Sequence, residues 1–148
     1  MHKLPVLVLL LSCVSGPICM AEILANSSQG APSLESILEA AKLHEFGQAL
    51  DQISKLDGEG PKADKTLVQL LNYYLGAGPS EALAEAITKR GARMLGPLET
   101  LRAKAPQCPK RYADLCENRN DEDLNARNEF IDRLISALKS GKILRVES

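Results

Sequence analysis

The sequence predicts an all-α protein of about six helices, arranged as an α-hairpin stack or an irregular helical bundle and closed by one disulfide. Three observations carry this. From Ser33 onward, Leu, Ile and Ala recur at three- and four-residue spacing, the period of a helix with one buried face. The chain has only three tyrosines, two phenylalanines and no tryptophan. Its core must therefore be aliphatic, and no run of alternating β-branched residues follows the first 21 positions, which disfavours a β-sandwich. Glycine- and proline-containing breaks then divide the chain at helix-length intervals.

The N-terminus reads as a leader. Met1-His2-Lys3 is a short basic start, and Leu4 to Leu11 contains no polar residue. That run suits a secretory apolar core and is far shorter than the ~20 residues that span a bilayer. Gly16 and Pro17 break any helix it forms, and Cys19-Met20-Ala21 offers the small side chains a signal peptidase accepts. The cut is expected after Ala21, with Ala25 as second choice. The expected organisation is a signal peptide over 1–21, a flexible linker over 22–32 and one helical domain over 33–148. Within the same leader, Leu10-Leu11-Ser12-Cys13 resembles a bacterial lipobox, which implies acylation of Cys13 and a membrane anchor as the alternative.

Each helix has its own justification. Ser33 caps the first, with Leu34, Ile37, Leu38 and Ala41 on one face and an end near His44. The second begins around Phe46, turns Ala49, Leu50, Ile53 and Leu56 inward, and stops at Asp57-Gly58-Glu59-Gly60-Pro61. The third is expected over Lys62 to Leu75, with Leu67, Leu70, Leu71 and Tyr74 as its stripe and Tyr73 at the rim. The fourth starts at Pro79 or Ser80, since proline suits a first turn, and buries Leu83, Ala86 and Ile87. Gly91 interrupts it. A fifth runs from near Arg93 to Lys104 with Pro97 in its early part. After a turn and cap at Asn118 to Asp121, the last helix repeats Leu124, Ile131, Leu134, Ile135 and Leu138, with Gly141 at its C-terminal cap. Ile143 and Leu144 are expected to fold back on the body.

Two stretches resemble helical-repeat families. Phe46, Ala49, Ile53, Leu56 and Pro61, within residues 40–61, stand at spacings similar to the second half of a tetratricopeptide repeat. The first half departs, with Ser33 where a large aromatic stands and His44 where glycine is usual. "RGARMLGPLETLRAK", within residues 80–104, resembles the second helix of a HEAT-type unit, with its early proline and spaced leucines. Both resemblances imply helical hairpins and the surfaces such hairpins present to other proteins.

Cys108 and Cys116 survive the expected cut, and an even pair in an oxidising compartment reads as a disulfide. Residues eight apart on a straight helix lie ~12 Å from each other, too far for a bond that needs Cα atoms ~5.5 Å apart. Residues 108–116 must therefore bend. The spacing is not the C-x-x-C of a redox pair, and a zinc site has only one further histidine, His44, to draw on.

Without the leader, 17 basic residues face 19 acidic ones, a balance unlike that of a bulk nucleic-acid binder. The charge is uneven, however. Between Lys89 and Arg111 seven basic residues meet only Glu99, a local +6, whereas residues 22–88 carry −6. This basic stretch is the candidate contact for an acidic protein surface, with Arg93 and Arg102 as anchors and Lys104, Lys110 and Arg111 beside them, and an anionic lipid surface is the alternative target, by peripheral membrane association. Mutual neutralisation inside the fold is the competing explanation. No catalytic, cofactor or metal motif stands out. His44 has no nucleophile tied to it, Glu35 and Glu39 read as a solvated face, and Asp121-Glu122-Asp123 reads as carboxylates at a helix N-terminus. The expected function is an exported, non-enzymatic protein-binding module without cofactor, in a periplasmic inhibitor, immunity-type or assembly-accessory role. A helical carrier of an apolar ligand or lipid comes second, and a cryptic hydrolase, dependent on His44 or on a carboxylate in a cleft, third.

Overall fold

Helices form where the apolar stripes lie. The computed structural model describes residues 32–56, 60–117 and 119–145, within a compact unit spanning Ala31–Ser148. The leader, both cut positions, Cys13 and nearly all of the linker lie outside the described residues. Six α-helices follow in order: α1 (Leu34–Lys42), α2 (Phe46–Lys55), α3 (Pro61–Leu70), α4 (Ala77–Lys89), α5 (Leu95–Arg102) and α6 (Asp121–Lys139). Short 3-10 turns cover Gly91–Met94 and Lys110–Leu115. Among the described residues the chain is helical, and its one β-type contact is an isolated antiparallel bridge between Tyr73 and Cys116.

The helix starts follow from their caps. Ser33 and Ser36 form a reciprocal capping box on α1. The Asn120 side chain accepts from the Asp123 amide at 2.8 Å and starts α6, with Asp121, Glu122 and Asp123 in its first turn, where the helix dipole favours negative charge. Gly141 adopts φ 66° just beyond α6, as a C-terminal cap requires. Between α1 and α2 the same left-handed conformation falls on His44, φ 60°, the position at which the tetratricopeptide repeat carries glycine.

The core is one aliphatic cluster. Ile37, Leu38, Ala49, Ile53, Leu67, Leu70, Leu83, Ile87, Met94, Leu98, Ile131 and Leu134 are all buried within it. The α2 helix packs chiefly on α4 and on α1, and α5 chiefly on α6. The α1 helix also reaches Lys110–Leu115, and α4 reaches α6. Contacts therefore wrap around the centre instead of running from one hairpin to the next, which is bundle packing.

Several boundaries differ from the sequence expectation. The α3 helix ends at Leu70, not Leu75, because the chain there leaves the helix to pair with residues 115–117. The Tyr74 amide donates to the Leu115 carbonyl at 2.7 Å, and the Glu117 amide donates to the Asn72 carbonyl at 3.1 Å. This exchanges the two tyrosines. Tyr73 is 5% exposed, edge-on to Tyr112, whereas Tyr74 is 58% exposed. The α4 helix starts at Ala77, ahead of Pro79. Leu50 and Phe46 are each part-exposed, and Phe46 lies against Gly76 and the edge of the His44 ring. Of the tail, Leu144 packs and donates its amide to Thr88 Oγ1 at 3.0 Å, while Ile143 stays exposed.

Candidate functional site: an open pocket beside a buried arginine

Most of the basic stretch is answered by the protein's own carboxylates. Arg90 and Arg93 both grip Asp64, Arg90 at 2.6 Å and Arg93 at 3.1 Å. Arg102 makes a two-pronged pair with Asp132 at 2.9 and 3.2 Å. Arg111 pairs with Glu39 at 2.6 Å, and Glu39 also accepts from the Tyr112 hydroxyl at 3.0 Å. Glu39 is thereby tied to the 110–115 turn instead of standing with Glu35 as a free acidic pair. Lys104 and Lys110 are exposed and make no ion pair among the described residues. The five residues proposed from sequence therefore fall into two groups: three arginines turned toward neighbouring helices, and two lysines turned toward solvent.

Both lysines belong to the segment that leaves α5 and enters the disulfide ring. Cys108 and Cys116 are bonded, with Cα atoms 6.3 Å apart. The chain between them turns at Pro109 and through the 3-10 segment, as a ring of this size demands. At the start of this segment lies an open pocket of about 410 Å³, lined by Asn72, Leu101, Lys104, Ala105, Pro106 and Gln107.

Beside its wall lies Arg127 of α6, which sequence reasoning passed over. It is 1% exposed. One terminal nitrogen donates to Asn72 Oδ1 at 3.1 Å and to the Leu101 carbonyl at 3.2 Å, both residues of the pocket wall. The other donates to Asn128 Oδ1 at 3.1 Å, and Nε finds no partner among the described residues. Arg127 has no direct ion pair there either; Glu117 acts on it at longer range. Burial pulls Arg127 below the usual guanidinium range, and the Glu117 charge opposes that pull. A signal for Arg127 was present in the sequence: it stands three residues after Leu124 and four before Ile131, on the inward stripe of α6.

Glu117 lines a second pocket of about 320 Å³ with Tyr74, Asp114, Arg119 and Asp123. Burial raises its carboxyl to about 7, against the lowering effect of Arg127 and with help from Asp123. The native protein thus keeps this proton up to about pH 7, whereas the unfolded chain gives it up near 4.5. Between these values the native state binds the extra proton, so stability falls as pH rises. We expect about 1–3 kcal/mol to be lost between pH 4.5 and 8, after discounting for partial exposure. Glu117→Gln should remove that part of the slope and be the more stable protein at pH 8. Parallel urea-unfolding profiles for the two proteins across this range would contradict the assignment.

Comparison with protein-family models, with curated proteins and with solved structures returns no match.

Among the described residues, no group of three or more His, Cys, Asp or Glu side chains is placed to hold a metal ion, and no helix is long and apolar enough to cross a membrane. His44 is exposed in the α1–α2 turn, with Phe46 as its ring contact.

Proposed function

We propose that the protein is an exported, non-enzymatic binding module that engages an acidic surface of a protein partner through the segment from Leu101 to Lys110. One observation carries the reading. Lys104 and Lys110 are the members of the basic stretch left without an internal carboxylate among the described residues, and Lys104 stands on an open pocket that no acidic residue lines. Arg93, Arg102 and Arg111 act in this reading as struts that hold the basic segment against α3, α6 and α1. The Arg102–Asp132 and Arg111–Glu39 pairs are both solvent-exposed, and exposed pairs contribute only ~0–1 kcal/mol, so either arginine can turn toward a partner at small cost. The bonded cysteine pair supports an oxidising compartment, periplasmic or secreted, because such bonds persist there.

The test is capture from the native host at low salt, comparing the wild type with a Lys104→Glu/Lys110→Glu double variant. The wild type should retain a specific partner that the variant loses, with both unfolding at the same urea concentration. Rim charges act mainly through association rate, so raising the salt should weaken the wild-type complex too. Equal retention of the same partner by both proteins overturns the reading.

A further inference from the structure

The hydrogen-bond inventory of the pocket wall points to a definite ligand chemistry. Arg127 is a donor-only group. Where it meets Asn72 it must face Oδ1, which leaves the two Nδ2 hydrogens of Asn72 unpartnered among the described residues. The Asn72 carbonyl is taken by the Glu117 amide, and the Leu101 carbonyl by both Arg127 and the Lys104 amide. The Asn72 and Leu101 acceptors of this wall are thus occupied. The lining offers the Asn72 amide and the Lys104 ammonium as donors, Gln107 as donor and acceptor, and no carboxylate, with Leu101, Ala105 and Pro106 as its apolar part. Beneath the wall lies a guanidinium charge with no contacting carboxylate among the described residues.

We propose that this pocket binds a carboxylate carried on a short apolar stem, as an aspartate or glutamate side chain of the protein partner presents it. The carboxylate oxygens accept from Asn72 Nδ2 and Lys104 Nζ, and the stem lies on Leu101 and Pro106. Charge-assisted bonds of this kind are about twice as strong as neutral ones, and the buried charge of Arg127 polarises the Asn72 amide that makes one of them. The proposal rests on the partner-binding reading for the origin of the carboxylate, not for the chemistry of the pocket.

The experiment is a titration of the isotope-labelled protein, followed by amide NMR, with N-acetylglutamate N-methylamide as probe. The glutamine analogue and inorganic phosphate serve as comparisons. The Asn72 side-chain amide and the backbone amides from Leu101 to Gln107 should shift saturably with the glutamate probe and not with the glutamine analogue. Lys104→Gln should weaken binding at least about threefold, the scale of an exposed charge pair. Asn72→Asp keeps an acceptor for Arg127 but replaces the donor with a negative group. It should abolish binding in a protein that still folds. A flat titration, an equal response to the glutamine analogue, tighter binding of phosphate than of the glutamate probe, or unchanged affinity in Lys104→Gln would each overturn the proposal. Capture from the host reads the partner and the probe reads the pocket. A protein that binds the probe yet retains no partner sinks only the partner reading, and one that retains a partner but ignores the probe sinks only the pocket.

Discussion

Arg127→Ala is expected to destabilise the protein by about 3 kcal/mol. The replacement empties the space of a long, fully buried side chain, and large-to-small changes in a core typically cost a few kcal/mol. It also strips Asn72 Oδ1 and Asn128 Oδ1 of their donor, at ~1–3 kcal/mol for each group that stays buried. Removal of a buried charge relieves a desolvation penalty and offsets part of the loss. Arg127→Met separates these contributions. It keeps most of the volume and removes the charge and the hydrogen bonds, so it should cost only about 1–2 kcal/mol. Glu117 reports the change independently. With the nearby cation gone, its carboxyl should titrate higher still, because the one influence that lowers it has been removed. Urea unfolding of both variants, with the Glu117 side chain followed by NMR, checks all three statements. An alanine variant as stable as the wild type would mean that the buried guanidinium contributes nothing net to the fold.

Replacing both cysteines with serine is expected to cost about 2–3 kcal/mol, the chain-entropy value for so small a ring. The loss should be local before it is global. Cys116 sits in the bridge to Tyr73, and its neighbours Leu115 and Glu117 bond to the backbone of Tyr74 and Asn72. Without the crosslink the 103–117 segment opens at lower cost, so the Tyr74 and Glu117 amides should exchange with solvent faster than amides in α4. The Leu101–Gln107 wall should also lose its affinity for the glutamate probe before overall unfolding sets in. Uniform acceleration of exchange across all helices would show instead that the crosslink acts on the unfolded chain alone.

Most of the helical framework was legible because it depends on local rules. Ser33, Asn120 and Gly141 mark ends by their own hydrogen-bonding and backbone preferences, and the stripe of α6 follows the helical period. The disulfide was legible from count and spacing, and the bend inside it from distance alone. What escaped was long-range. Tyr73 and Tyr74 were assigned by helical phase, but residues 115–117 pull the chain out of the helix before it reaches them. The basic stretch was visible as charge, yet its partners Asp64, Asp132 and Glu39 lie 26 to 72 positions away in the chain, and no periodicity links them. Arg127 stood in plain view on an apolar stripe. Its importance needed Asn72 and Leu101 beside it, which the placement of α6 against α5 and the turn after α3 supplies.

Tyr73 and Cys116 are 43 positions apart, and the short pairing between their segments ties off everything in between. A ribosome releases Tyr73 long before Cys116, so this pairing waits for most of the polypeptide to be made. The last helix then sets its arginine against Asn72, just before that loop, and Leu101, within it. A chain halted ahead of Asp121 would leave Met94 and Leu98 without the helix that covers them. Closure of the core therefore waits for the last helix of the domain to be made.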